Sequence, residues 1–250
     1  MMMMQKMNNR RWVVAVGLIM LGLPIVATAA ASADGFDVLG VRLGMTQPEV
    51  EASVIAYDPE VKTTRKLSRF SYFDGWESQS TADFLKTLVV EFPSKGGTLE
   101  IDFSSPPDGG RVVRIARTGG YSGRKVAFPP YESFRQSLIK KYGAPVFERR
   151  RTVGGELLWA RPANDKVCLK TESSLSLEVN NTNYDLSEPQ ACARLLYYNL
   201  EPVTPGGPVQ RLRATAIDVE EIVGSELATN AWLKKLSDEA RAGRSEASSG

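Results

Sequence analysis

The sequence predicts an α+β protein built from two tandem helix-plus-antiparallel-sheet units and a C-terminal helix. Three observations predict this fold. A helical pattern followed by several strand-like runs occurs twice, first after residue 44 and again after residue 126. A Gly-rich joint, part of a linker at 119–125, separates the two passes. A third helical pattern begins at residue 218.

These patterns divide the chain into six parts. We expect a signal peptide at 1–33, a first helix/sheet unit at 34–118, a linker at 119–125, a second helix/sheet unit at 126–217, a C-terminal helix at 218–242 and a flexible tail at 243–250. The composition of the tail, which is rich in Ser, Gly and Ala, is typical of a frayed terminus.

The first 33 residues have the pattern of an export signal. Three basic residues come first: Lys6, Arg10 and Arg11. An apolar run follows over 12–27, and Ala31-Ser32-Ala33 offers small residues for signal peptidase, which predicts cleavage before Asp34. The alternative is a retained anchor, but the run is shorter than the about 20 residues that span a bilayer. We therefore expect a soluble periplasmic or secreted protein with no stable membrane insertion after cleavage.

Removal of the signal changes the charge balance. The 250-residue chain has 31 basic and 29 acidic residues, and the segment 1–33 holds three of the basic ones and no acid, so the remainder has a net charge of −1. This balance argues against nucleic acid as a partner, because nucleic-acid binding needs a basic surplus. The chain has no His. That excludes Ser-His-Asp and Cys-His nucleophiles and His-ligated zinc.

The first unit opens with a complete helix start. Thr46 is the predicted N-cap, Glu49 closes a capping box, and Val50, Val54 and Tyr57 recur at helical spacing. Four strand-like runs follow, separated by turn signals such as Asp74-Gly75: Val61–Phe70, Leu85–Phe92, Thr98–Phe103 and Arg111–Thr118.

The second unit repeats this order. Five residues share one face of a predicted helix that ends at Gly143: Tyr131, Phe134, Leu138, Ile139 and Tyr142. Six strands are predicted after it: 146–152, 156–161, 166–171, 174–180, 191–200 and 209–217. A short helix over 188–198 is the alternative to the fifth strand. Asp218 caps the C-terminal helix, with Glu221 at its third position.

A helix entry in the first unit and a helix exit in the second resemble a known structural module. The stretch Gly44-Met45-Thr46-Gln47-Pro48-Glu49-Val50, together with the helix exit Gly143-Ala144-Pro145, resembles small exported modules of the SmpA/OmlA outer-membrane assembly lipoproteins. β-Lactamase-inhibitor-like proteins share the helix-on-antiparallel-sheet plan. The resemblance implies binding or assembly rather than catalysis. This chain lacks the acylated Cys of the lipoproteins, so membrane anchoring does not carry over, and no functional residue is transferred.

The two cysteines, Cys168 and Cys192, predict a disulfide in an exported chain. A bridge over this separation contributes roughly 3 kcal/mol in the chain-entropy treatment. The alternative, a redox-active pair, normally has Cys-x-x-Cys spacing. Because bonded cysteines need Cα atoms within about 7 Å, we expect the segment after 181–190 to return beside 166–171, or to pack over it, rather than continue a meander.

Several other patterns have an ordinary structural explanation. Ser137 and Lys140 match Ser-x-x-Lys, but companion motifs are missing and the serine lies in mid-helix. The carboxylates Asp102, Asp108, Glu156 and Glu178 could supply a hydrolytic pair, but an ordinary solvated face is the favoured explanation. Asn181, Asn183 and Asp185 alternate as in calcium loops but favour a turn. The glycines at 119–123, followed by Arg124 and Lys125, favour a linker over a phosphate site.

The densest basic run is the candidate partner surface. On a strand, Arg149 and Arg151 share one face and Arg150 takes the other. Their charges could contact an acidic partner or lipid phosphates, and protection of an edge strand is the alternative. The sequence therefore predicts a non-enzymatic binding or envelope-assembly module that acts through protein–protein contacts, without cofactor or metal. The alternative is an exported hydrolase that uses paired carboxylates.

The signal peptide gives a direct prediction. Mass spectrometry of the exported protein should place Asp34 at, or within a few residues of, the N-terminus. An intact hydrophobic segment in the membrane fraction would contradict it.

Overall fold

The computed structural model describes residues 35–120, 128–161 and 194–248. In chain order the elements are β1 (Asp37–Val38), β2 (Val41–Arg42), α1 (Gln47–Tyr57), β3 (Lys62–Ser68), β4 (Ser71–Phe73), β5 (Ser78–Ser80), β6 (Phe84–Glu91), β7 (Thr98–Phe103), β8 (Val112–Gly120), α2 (Tyr131–Tyr142), β9 (Phe147–Arg150), β10 (Gly155–Arg161), β11 (Arg194–Pro202), β12 (Val209–Asp218) and α3 (Val219–Ser248). The predicted signal peptide, both cysteines and the strands expected at 166–171 and 174–180 lie outside the described residues.

Eight of the strands form one antiparallel sheet. Their order is β3-β6-β7-β8-β12-β11-β10-β9, with two separate two-stranded sheets, β1-β2 and β4-β5. The centre of the large sheet is the pairing of β8 with β12, which runs from Arg211 opposite Gly120 to Ile217 opposite Arg114. Of the helices in the described ranges, none is both long and apolar enough to cross a bilayer.

The predicted fold class is wrong. The chain does not form two helix-plus-sheet units, because the β8–β12 pairing merges the strands into a single sheet and the described residues are mostly β. The predicted helices and strands that fall within the described ranges are present, since periodicity identifies strands and helices. The short strands β1, β2, β4 and β5 were not predicted. Periodicity does not identify which strands pair across a long separation, and this pairing decides the class. The C-terminal helix also includes residues 243–248, where a tail is predicted.

The main core lies between α1 and α2 and one face of the sheet. Val50 and Val54 of α1 and Leu138 and Tyr142 of α2 are buried there. The sheet contributes alternate residues of its strands, including Leu88, Val90, Leu99, Ile101, Ile115, Leu157, Trp159, Leu196 and Leu212. Each fully buried side chain of this size contributes about 1.5–3 kcal/mol relative to exposure. We call this side of the sheet the helix face.

The start of α1 is fixed by its capping box, as the sequence predicts. The backbone N–H and the hydroxyl of Thr46 both donate to Glu49 Oε2, at 2.7 and 2.8 Å. These hydrogen bonds lower the pKa of the Glu49 carboxyl. A carboxylate at this position also interacts favourably with the N-terminal end of the helix dipole.

The helix α2 is anchored by a buried arginine. The guanidinium of Arg135 donates to both carboxylate oxygens of Glu148 on β9, with N···O distances of 2.9 and 2.7 Å. A third hydrogen bond links it to Glu132 at 2.8 Å. Paired charges of this geometry satisfy a buried guanidinium.

A second, smaller core lies on the opposite face of the sheet, under the start of α3. Val219 and Ile222 of α3 contact buried residues of four strands, including Val113, Leu158, Leu195 and Ile217. Asp218 lies directly before the helix and accepts a hydrogen bond from the N–H of Glu221 at 3.1 Å, which confirms the predicted cap. Farther along α3, the buried Thr229 hydroxyl donates to the carbonyl of Pro106 in the β7–β8 loop.

The contact of α2 with β10 gives a prediction about packing. At Gly155 an added Cβ would lie 2.5 Å from the Tyr131 hydroxyl oxygen and 2.6 Å from the Arg149 carbonyl oxygen. We expect Gly155→Ala to lower the free energy of unfolding by about 1–3 kcal/mol through overpacking. The measurement is chemical denaturation.

Gly224 on α3 is the matched control. A Cβ there would meet nothing within 4 Å, so we expect Gly224→Ala to raise the free energy of unfolding by about 0.5–1 kcal/mol through helix propensity. Equal stability of the two variants would contradict the packing explanation.

Candidate functional site

The hairpin β4–β5 projects from the main sheet. It forms its own two-stranded sheet, although its strands lie in sequence between β3 and β6, which are neighbours in the main sheet. Where the chain leaves and re-enters the large sheet, the rings of Phe70 and Phe84 stack with centroids 5.1 Å apart. This stacking fixes the base of the hairpin.

The turn at the end of the hairpin is organised by one carboxylate. Asp74 Oδ1 accepts hydrogen bonds from the backbone N–H groups of Trp76 and Glu77, each at 2.9 Å. Gln79 Nε2 donates to the other oxygen at 2.9 Å. Gly75 has φ +96°, which a residue with a side chain rarely adopts. The side chain of Asp74 therefore closes the turn around a glycine. Asp74 itself is only 3% exposed.

The donors around Asp74 also set its charge. The pKa of the Asp74 carboxyl is lowered to about 2, and the backbone hydrogen bond from Glu77 is the largest cause. Burial acts in the opposite direction. The hydrogen bonds from Trp76 and Gln79 and the charge of Arg244 lower the pKa further. The carboxylate is therefore ionised at every physiological pH. It acts as a fixed acceptor for the turn.

The far end of α3 supports the same turn. Arg244 forms an ion pair with Asp74 and lies 3.3 Å from Glu77 Oε1. The stem of Arg241 lies against Gly75, since a Cβ on that glycine would be 3.0 Å from Arg241 Cγ. The hairpin and α3 therefore hold the turn from two sides.

This rigid turn presents an aromatic side chain to solvent. Trp76 is 82% exposed. Phe73, directly before the turn, is 49% exposed, and Leu67, near the base of the hairpin, is 60% exposed. An exposed Trp contributes little to folding but is the residue type most enriched at binding hot spots. We call Phe73, Asp74, Gly75, Trp76 and Glu77 the Trp76 tip.

The predicted partner surface lies elsewhere, with Arg149 on β9 and Arg151 directly after it. Arg149 Nη1 lies 3.7 Å from Glu156 Oε2, and Arg151 forms an ion pair with Glu156 Oε1. Arg150 takes the opposite face, as predicted, and binds Glu148 at 2.6 Å. Arg149 and Arg151 thus compensate the buried Glu156 while remaining partly exposed. Their role in partner binding stays a prediction.

The candidate catalytic groups are not assembled in the described ranges. Asp102 accepts hydrogen bonds from Arg114 at 2.8 Å and Thr87 at 2.7 Å. Glu156 lies four strands away in the sheet order, or about 19 Å at the usual strand spacing, which exceeds the about 5–10 Å of a glycosidase pair. Asp108 is exposed. Glu178 lies outside the described residues.

Within the described residues, the remaining motifs form neither a catalytic nor a binding site. The Ser137 hydroxyl donates to the carbonyl of Phe134 at 2.6 Å within α2, and both Ser137 and Lys140 are exposed. Gly119 and Gly120 end β8 rather than belonging to a linker. Arg124, Lys125 and the alternating oxygen ligands of 181–185 lie outside the described residues. Within the described ranges, acidic, Cys and His residues form no group of three or more that could hold a metal ion.

A small, largely apolar cavity lies beside α1 and the β7–β8 loop. Its volume is about 220 Å³, below the about 300–1,000 Å³ of typical ligand pockets. Its lining, without a charged side chain, consists of Gln47, Phe84, Leu85, Phe103, Ser104, Pro106, Pro107, Gly109 and Gly110. Nothing in this lining selects a ligand, so the Trp76 tip is the stronger candidate.

Sequence reasoning identified the turn at Asp74-Gly75 but missed the role of Trp76. The available signal was an aromatic residue directly after a turn, at a position with no apolar periodicity to place it in the core. Comparisons with family models, curated proteins and solved structures found no match. The function must therefore be inferred from the geometry.

The hydrogen bonds of Asp74 give the prediction for this site. We expect Asp74→Ala to increase amide exchange at Trp76 and Glu77 by at least about tenfold, because the acceptor that protects these amides is gone. Hydrogen exchange followed by NMR measures this. Asp108→Ala, at an exposed acid, should leave both rates unchanged.

The same carboxylate predicts the pH dependence. The pKa of Asp74 is lowered from 3.8 to about 2, so its stabilising effect is complete above pH 3.8 and is lost as the pH falls through about 2. Amide protection at Trp76 should persist at pH 4. Loss of protection already near pH 5 would contradict the role of Asp74.

Proposed function

We propose that this protein is an exported, non-enzymatic binding module that contacts another envelope protein through the Trp76 tip. The observation that carries the proposal is the exposure of Trp76 on a turn held by Asp74 and Arg244. The export signal at 1–33 supports a periplasmic or secreted location.

The rigidity of the tip favours binding. A partner that binds a flexible loop must offset the entropy lost when the loop becomes ordered. Here four donors already fix the carboxylate of Asp74: the backbone of Trp76 and Glu77 and the side chains of Gln79 and Arg244. The indole is therefore presented in one backbone geometry, and most of its apolar area remains available for an interface.

The charges near the tip favour a protein partner over a lipid surface. Arg244 is paired with Asp74 and Glu77, and Arg69, near the base, lies 3.7 Å from Asp83. Membrane-surface binding normally combines exposed apolar residues with unpaired basic ones. The two acids of the tip, Asp74 and Glu77, are balanced by Arg241 and Arg244 beside it. A charge-balanced surface with one large aromatic side chain fits an apolar pocket on a protein.

Site-specific crosslinking tests the proposal. A photoreactive phenylalanine analogue at position 76 should crosslink the exported protein to one envelope protein, whereas the same analogue at Val203, another exposed apolar position, should not. With the captured protein purified, Trp76→Ala should weaken binding at least about tenfold. Val203→Ala is the matched control, and circular dichroism confirms folding.

Two results would overturn the proposal. One is equal affinity of Trp76→Ala and Val203→Ala for the captured protein. The other is binding to anionic lipid vesicles that requires Trp76, without a protein crosslink, which would assign the tip to the membrane surface.

A further inference from the structure

An arginine without a carboxylate partner lies on the helix face of the sheet. Arg117 on β8 pairs in register with Leu99 of β7 and Ala214 of β12. Its neighbours on the same side of β8 are Ile115 and Gly119. The side chain of Arg117 therefore leaves the backbone among apolar residues of the helix face.

Two other part-buried arginines, one on the opposite face of β8 and one on α2, have carboxylate partners. Arg114 lies 2.8 Å from Asp102 and Arg135 lies 2.7 Å from Glu148. Arg117 has no ion pair or hydrogen bond with a carboxylate in the described part of the chain. Burial lowers the pKa of its guanidinium, whereas the phenols of Tyr57 and Tyr198 act in the opposite direction.

An aromatic platform holds this guanidinium in place. Arg117 Cζ lies 5.6 Å from the centre of the Phe128 ring, within the range of a cation–π contact. Gly119 lets that ring approach, because an added Cβ would lie 3.1 Å from Phe128 Cζ. Tyr57 and Phe92 form a second aromatic group, with ring centres 5.1 Å apart, at the end of α1.

The arrangement costs stability unless an anion is present. A part-buried cation without a counter-charge loses hydration that a ring contact replaces only in part. Arg117 keeps some exposure, so a small solute can reach it. The planar guanidinium binds a carboxylate with two parallel hydrogen bonds. One cation among aromatic and aliphatic side chains matches a singly charged anion with an apolar body.

We infer that Arg117, with its guanidinium over the ring of Phe128, is the binding site for a small organic monocarboxylate on the helix face of the sheet. This site is separate from the Trp76 tip, since the two features share no residue. The carboxylate of the ligand pairs with the guanidinium, and its apolar part contacts the neighbouring aromatic rings.

Calorimetric titration of the exported protein tests this with three probes: benzoate, its neutral analogue benzamide, and inorganic phosphate. Benzoate should bind saturably, benzamide should not bind, and phosphate should bind more weakly. Arg117→Met should weaken benzoate binding at least tenfold. Arg117→Lys should weaken it less, because lysine keeps the positive charge but lacks the planar pair of N–H donors that binds both carboxylate oxygens. Arg213→Met, at an exposed position of β12 on the opposite face, is the control and should bind benzoate normally.

Thermal unfolding without ligand distinguishes a binding residue from a structural one. Arg117→Met should raise the unfolding midpoint by several degrees, because it removes a part-buried charge that lacks a partner. A midpoint that falls or stays unchanged would overturn the inference. So would equal benzoate affinity in Arg117→Met, absence of saturable binding to the unaltered protein, or phosphate binding as tight as that of benzoate.

Discussion

The pairing of β8 with β12 is the constraint on which the rest of the structure depends. These strands are about 90 residues apart in sequence and lie side by side over seven residue pairs. The pairing joins the strands before and after α2 into one eight-stranded sheet, so that α1 and α2 share one core. It also places the end of β12, and with it Asp218 and the start of α3, over the opposite face.

Both candidate sites follow from this arrangement. Arg117 lies in the central pair of strands, opposite Ala214, so its position on the helix face is fixed by the backbone rather than by a loop. The Trp76 tip is at the other extreme, on a hairpin outside the sheet, and depends on Arg244 at the distal part of α3. One site uses the most constrained part of the fold. The other uses a projecting turn that needs its own supports.

The sequence predicts local structure well because local structure depends on local patterns. The capping residues Thr46 and Glu49 predict the start of α1, and the capping residue Asp218 predicts the start of α3. Strand order depends instead on contacts between distant segments, which no periodicity records, so the fold class was wrong. Arg117 could have been noticed, because the alternation Ile115, Arg117, Gly119 places a charge on the apolar side of a strand. The exposure of Trp76 depends on Asp74 and Arg244, which are 170 residues apart.

The unequal burial along α3 has a consequence for hydrogen exchange. Its first turn is part of a core, with Val219 and Ile222 buried, whereas from residue 230 to residue 244 no residue of the helix is fully buried. Amides of the central strands should therefore exchange only through global unfolding, while the distal helix opens at a lower free energy. Arg241 and Arg244 couple that opening to the hairpin turn. The distal helix and the turn thus form one cooperative unit, and a partner that immobilises Trp76 would also slow exchange in α3.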